Sequence, residues 1–201
     1  ALAESVEKGG ASAIRINLRH IPYLKPRINI PLYGIEKIYV NDQMRITPTL
    51  KEVEALVAAG ADAIAIDATK RERFDGLTLE QYIHRIKTNF SIPLLGDIST
   101  FEEGVHAWEY GIDAVSTTLS GYTPYSSNFG KLGDIPPLAP DFKIISELRA
   151  AIPIPVIAEG RISTPNQAVE ALNAGAHAVV VGTAITNPQK ITELFVHFIR
   201  T

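Results

Sequence analysis

The sequence predicts an α/β fold, a (β/α)8 barrel of the TIM type, and three observations predict it. IPLYGIEK (30–37), IPLLGDIS (92–99) and IPVIAEGR (154–161) are one phrase written three times. Each is a proline-led apolar run of strand length that closes on a charged residue: Lys37, Asp97 or Glu159. A second phrase recurs before, between and after them, a helical stretch, a glycine and a short apolar strand: EKGGASAIRI, VAAGADAIAID, EYGIDAVSTT and NAGAHAVVVGT. Ionisable groups also gather at the carboxyl ends of the strands, the face on which such barrels carry their active sites.

The chain opens inside what reads as a helix and meets the first glycine phrase at once. Gly10, Gly60, Gly111 and Gly175 each follow an apolar-periodic helix, where a left-handed residue just past the helix end is expected. Five residues beyond these glycines stand Arg15, Ala65, Ser116 and Val180; seven beyond stand Asn17, Asp67, Thr118 and Gly182. Strand side chains alternate, so both sets share one face, while Ile14, Ile64, Val115 and Val179 take the other. Alternate strands of a closed eight-stranded barrel contribute inward layers of four side chains. The glycine phrases therefore read as even strands, with small residues in the layer leaving room for Arg15.

The proline phrases are then the odd strands. Asp97 and Glu159 lie four residues beyond Pro93 and Pro155, and Lys37 six beyond Pro31, which keeps the same face. Helix starts are marked by Thr49-x-x-Glu52, Thr78-x-x-Gln81, Thr100-x-x-Glu103 and Thr164-Pro165-x-Gln167, all resembling capping boxes. Residues 18–29 and 120–140, the latter containing YTPYSSNFGKLGDIPP, lack helical periodicity and read as long functional loops. The count reaches seven strands, one short of closure. A (β/α)8 chain runs to about 250 residues, with about 200 the lower end, so residues 1–201 are expected to form a single barrel domain that lacks its first strand.

Composition narrows the function. The 201 residues are 46% hydrophobic and 20% charged with a formal net charge of −3, which supplies no basic field for nucleic acid or anionic lipid. No apolar run approaches the roughly 20 residues that span a bilayer, and no signal peptide is read ahead of the first strand. The absence of cysteine removes disulfides, thiolate zinc sites and a thiol nucleophile. A cytoplasmic enzyme or binding protein is expected.

Lys37 is open to two readings: a lysine snorkelling at a strand end, or a base or Schiff-base nucleophile made reactive by partial desolvation. Glu159 follows PVIA, so its carboxylate must be hydrated, paired or functional. Asp67 and Asp97, taken singly, fit loop caps as well as ligand contacts. Four ionisable groups on one rim fit a site better than they fit stability. Gly160-Arg161 and Gly182-Thr183 follow the last two strands, where backbone N–H groups of such barrels commonly hold a phosphate. No metal is expected: His20, His84, His106, His177 and His197 are scattered, and no pair has zinc spacing. No P-loop and no dinucleotide fingerprint follows a strand.

ITPTLKEVEALVAAGADAIAIDAT, GDISTFEEG, STTLSGYTPYS and PVIAEGRISTPNQAVEALNAGAHAVVVGTAIT closely resemble the N-acetylmannosamine-6-phosphate 2-epimerase family, from about Glu4 to the C-terminus. The resemblance implies a (β/α)8 barrel that interconverts N-acetylmannosamine 6-phosphate and N-acetylglucosamine 6-phosphate in amino-sugar and sialic acid catabolism. It implies no metal or organic cofactor and a homodimer. The family's catalytic lysine falls on Lys37 and its catalytic glutamate on Glu159. Its sugar contacts match Arg15, Asp97 and the run around Thr118, with Asp67 on the same rim. Its phosphate contacts match Gly160, Arg161, Gly182 and Thr183. The chain departs from the family pattern in two places: the polar S-C-Q type rim of the first strand has no counterpart, and Ile38 stands where an arginine usually follows the lysine.

The expected chemistry is removal of the C2 proton, α to the C1 carbonyl of the open-chain sugar, and its return to the opposite face. Lys37 is the candidate proton acceptor or donor, and Glu159 either handles the C1 oxygen or serves as the second-face acid. Two rival readings are another phosphate-binding barrel isomerase or synthase and a non-catalytic phosphosugar-binding protein. The presence of both Lys37 and Glu159 favours the enzyme.

Overall fold

A computed structural model describes residues 2–41, 43–126, 129 and 139–200. The chain divides into two compact units, Ala1–Asp97 with Glu109–Asp113, and Ile98–Trp108 with Ala114–Thr201.

The first unit begins with α1 (Leu2–Lys8), β1 (Ile14–Asn17), a 3-10 turn (Leu18–His20), α2 (Ile21–Leu24) and β2 (Leu32–Ile35). A hairpin of β3 (Lys37–Val40) and β4 (Gln43–Ile46) follows, then α3 (Leu50–Ala58), β5 (Ala63–Asp67), α4 (Leu79–Asn89) and β6 (Leu94–Asp97). β1, β2, β5 and β6 pair in that order, all parallel. Their helix-facing residues Leu32, Ile64, Ile66 and Leu94 are buried, as are Val53 and Leu56 of α3 and Ile83 and Ile86 of α4. Gly34 sits where no side chain fits: a Cβ there would come within 2.8 Å of Leu56, 3.0 Å of Ala61 and 3.1 Å of Ile21. The absent side chain lets the helix layer close down on β2.

The expected loop over 18–29 is corrected in its first half. A 3-10 turn and α2 occupy 18–24, started by Pro22 in the first turn, where a missing N–H costs no hydrogen bond. Four residues are too few to show helical periodicity.

Two aspartates recur in the same role. The Asp62 carboxylate accepts from the Leu32 N–H (2.8 Å) and from Lys25 (2.5 Å), while its own N–H donates to the Leu32 carbonyl (2.9 Å). Asp113 does the same for β6, accepting from the Leu94 N–H (2.7 Å) and Lys87 and donating to the Leu94 carbonyl (3.1 Å). Each clips the start of a strand to the loop that precedes the next.

The second unit contains α5 (Phe101–Glu109), β7 (Ala114–Ser116), a 3-10 turn (Thr117–Leu119), α6 (Phe142–Ala151) and β8 (Val156–Glu159). It ends with α7 (Pro165–Asn173), β9 (Ala178–Val180), α8 (Thr183–Thr186) and α9 (Pro188–Arg200). β7, β8 and β9 are parallel and pair in that order. Val156 and Ala158 of β8 and Ile144, Ile145 and Leu148 of α6 form a buried layer. Phe195, Phe198 and Ile199 of α9 are exposed. The loop expected over 120–140 is described at residues 120–126, 129, 139 and 140; its remaining residues lie outside the described ones.

The described residues thus hold the seven parallel strands the two phrases predict. The four phrase-ending glycines are all left-handed, with φ of 94°, 90°, 93° and 102° at Gly10, Gly60, Gly111 and Gly175. All four capping boxes form: Thr49 with Glu52, Thr78 with Gln81, Thr164 with Gln167, and Thr100 with Glu103.

Candidate active site

In the first unit, Arg15 at the centre of β1 meets Asp97 at the carboxyl end of β6. The guanidinium donates from Nη1 to Oδ1 (2.8 Å) and from Nη2 to Oδ2 (2.5 Å), a two-pronged pair with side chains 9% and 0% exposed. A fork of this kind fixes both side chains in one orientation. Ala65 of the intervening strand β5 is fully buried.

Asp67 stands level with Asp97 in the register of β5 and β6, yet its carboxylate is committed locally. Oδ1 accepts from the Thr69 N–H (3.1 Å) and hydroxyl (2.6 Å), and Oδ2 accepts from Arg71. Arg71 in turn donates to the Met44 carbonyl (3.2 Å). Asp67 therefore ties the loop after β5 to β4.

Lys37 does not end the second parallel strand, as the sequence suggested. β2 stops at Ile35, and Lys37 opens the antiparallel hairpin opposite Ile46, with its side chain exposed. Asn41 turns the hairpin with a left-handed φ of 48°, a conformation that asparagine tolerates better than most residues. The physical reason for the misreading is that IEKIYV is as good a strand as LYGI. Periodicity cannot show where one strand stops and another begins in a new direction.

In the second unit, Glu159 closes β8. The Thr117 hydroxyl both accepts from the Glu159 N–H (3.0 Å) and donates to its carbonyl (2.9 Å). The Ser116 hydroxyl lies 2.9 Å from that of Thr118 and 3.5 Å from the Glu159 carboxylate. Thr118 is thus brought beside Glu159, though in a 3-10 turn rather than in a strand.

Gly160 and Arg161 follow with φ of 107° and 61°. Two successive left-handed residues, one of them arginine, make a strained turn of the kind that clusters at functional strand ends. Arg161 Nη2 donates to the Ser120 carbonyl (3.1 Å), and its guanidinium lies 5.8 Å from the Tyr122 ring centroid. Its Nε and Nη1 are buried without a partner among the described residues. Gly121 is left-handed, with φ of 83°, and a Cβ there would fall 2.6 Å from that guanidinium, which would have to shift. Burial pushes the Tyr122 hydroxyl pKa up; the Arg161 charge opposes the shift and Glu159 adds to it. Gly182 caps α8, with Thr183 as its first residue, and both are exposed.

Sequence reasoning missed Thr117, Ser116 and Tyr122 as partners of the predicted residues. All three lie in or beside the TTLSGYT run, which was singled out as a whole. It also missed Arg71 as the partner of Asp67, although their spacing of four was there to read.

Alternating strands and helices, with polar groups ending the strands, define an α/β protein, and comparison makes the class a (β/α)8 TIM-type barrel. A solved structure, from a structural and biochemical characterisation of the N-acetylmannosamine-6-phosphate 2-epimerase from Clostridium perfringens, matches with a TM-score of 0.88 at 41% identity. That match covers 98% of this chain and 83% of the other. The family model described as "Putative N-acetylmannosamine-6-phosphate epimerase" matches residues 1–201, and the chain belongs to this family. A relative from Caldanaerobacter subterraneus subsp. tengcongensis, named "Putative N-acetylmannosamine-6-phosphate 2-epimerase", is 47% identical over 99% of this chain and 82% of its own. A relative of the same name from Cutibacterium acnes is 43% identical over 96% of this chain and 82% of its own. Thiamine phosphate pyrophosphorylase from Pyrococcus furiosus, at 15% identity and a TM-score of 0.59, shares the fold alone.

Proposed function

We propose that this chain is an isomerase that interconverts N-acetylmannosamine 6-phosphate and N-acetylglucosamine 6-phosphate by inverting C2. The observation that carries this reading is the match, over 98% of the chain, to a structure of a protein with that activity in its name. The reaction removes one proton from C2 of the open-chain sugar and returns one to the opposite face, so atoms and charge balance without a co-reactant. Lys37 takes or supplies the C2 proton. Glu159 serves the C1 oxygen or the second face, its peptide held by Thr117. Arg15 and Asp97 hold each other in one orientation and meet sugar hydroxyl and acetamido groups. Asp67 supports that rim through its loop. Thr118 adds a hydroxyl, and Gly160, Arg161, Gly182 and Thr183 receive the phosphate, whose remote binding energy orients the reacting centre.

The family resemblance also supports a single barrel domain, a homodimer and a cytoplasmic location. The exposed apolar side chains Phe195, Phe198 and Ile199 of α9 are what a covered face between two copies would use. Among the described residues no helix is long and apolar enough to cross a membrane. The test of function is incubation with either phosphosugar in D2O, following the epimer ratio and deuterium at C2. Both epimers should approach one mixture with deuterium at C2 only. Unchanged sugars would refute the activity.

A further inference from the structure

We infer that Thr47, held in place by Tyr82, is a positioning residue for Lys37; this rests on the role given to Lys37 above. Lys37 faces Ile46 across the hairpin, and the residues immediately outside that pair, Glu36 and Thr47, hold each other by reciprocal bonds. The Thr47 N–H donates to the Glu36 carbonyl (2.6 Å), and the Glu36 N–H donates to the Thr47 hydroxyl (3.2 Å). Thr47 is fully buried and left-handed, with φ of 46°. For a β-branched residue this conformation is an outlier that persists only where the surroundings over-determine it.

The surroundings do so from α4 and the loop before it. Tyr82, fully buried, directs its hydroxyl at the Thr47 carbonyl (2.7 Å) and lies 3.2 Å from the Thr49 carbonyl. Arg73 takes the carbonyl between them, Pro48, and stacks 3.6 Å over the Tyr82 ring centroid. Three successive carbonyls are thus clasped from one side. A two-stranded hairpin is at best marginally stable by itself, and the outer residues of β3 are exposed. The hairpin is held at β4, where Arg45 and Ile46 are buried and Arg71 bonds the Met44 carbonyl, while β3 itself has no buried residue. The clasp adds a hold on the arm that carries the lysine, through Thr47 and Glu36, one residue before it.

The experiment compares Thr47→Val, Thr47→Ser and Tyr82→Phe with the wild type, using N-acetylmannosamine 6-phosphate. Valine keeps the β-branch and removes the acceptor; serine keeps the acceptor; phenylalanine removes the distant hydroxyl. Misplacing a reacting group by about 1 Å can cost roughly 100-fold, so Thr47→Val should lower kcat about 10- to 100-fold with KM within about threefold. Thr47→Ser should restore kcat, and Tyr82→Phe should lower it in the same way. If Thr47→Val does not fold, Tyr82→Phe carries the same comparison of kcat and KM. A kcat unchanged from the wild type, or a loss of kcat matched in KM and not recovered by serine, would overturn the inference. Lys37→Ala separates the two levels: if it still washes deuterium into C2, the role of Lys37 itself fails. If it abolishes wash-in while Thr47→Val turns over normally, only the inference fails.

Discussion

Arg15 and Asp97 join across two intervening strands. β1 and β6 are separated by β2 and β5, and three strand spacings in a flat sheet amount to about 14 Å. An arginine and an aspartate cannot bridge that distance with paired contacts of 2.8 and 2.5 Å. The four strands must curl so that the chord becomes shorter than the arc. The ion pair is both a product of that curvature and a strut across it.

Removing one partner should therefore be costly. Asp97→Ala leaves a buried guanidinium without its carboxylate, and such losses run to about 3–5 kcal/mol. Replacing both, as Arg15→Met with Asp97→Leu, should recover most of the stability while activity stays lost. Urea unfolding of the three variants measures this. A double variant no more stable than the single one would show that the pair's own geometry, not the loss of one charge from it, sets the cost.

The phosphate should dominate substrate recognition. Charge-assisted hydrogen bonds contribute roughly 1.5–3 kcal/mol each. Losing three or four together predicts a kcat/KM for free N-acetylmannosamine at least about 10³-fold below that of its 6-phosphate. Arg161→Ala should harm the phosphorylated sugar far more than the free one. Equal turnover of the two sugars would remove the anion site from Gly160, Arg161, Gly182 and Thr183.

Acid should release one strand clip. Burial pushes the Asp62 carboxyl up, but the Leu32 N–H and then Lys25 pull it further down, so its pKa lies below the ordinary value. A depressed folded pKa stabilises the protein above the unfolded carboxylate value of about 3.9 and loses that effect as pH falls through the folded one. The stability gap between wild type and Asp62→Asn should be constant near neutrality and should shrink once the pH drops below about 4. Unfolding midpoints against pH would show it. A gap that widens in acid would contradict the clip.

The sequence was legible where one local rule decided the outcome. Left-handed glycines, capping boxes and strand phrases each depend on a few neighbouring residues, and these features all formed. Arg15 and Asp97 are brought together in the sequence only by the family resemblance, as sugar contacts. Their contact could not be read, because it depends on curvature summed over four strands. The hairpin was hidden for a different reason: IEKIYV runs on from LYGI without a turn signal, so nothing in the pattern marks where β2 stops and β3 starts. The Asp62 and Asp113 clips stand two residues beyond Gly60 and Gly111, in the turn ahead of each strand, where alternation of faces says nothing about a partner.

Thr117 has a consequence beyond holding Glu159. The strand that would pair with the end of β8 has already turned away at residue 117, so a side-chain hydroxyl performs both halves of a main-chain exchange. Main-chain ladders break only when a strand moves, on slow timescales, whereas a threonine can let go by rotating one bond. The Glu159 amide is thus a single-site clock. Its hydrogen exchange should run ahead of its β8 neighbours and slow when ligand fixes the Thr117 rotamer, reporting occupancy without any assay of turnover.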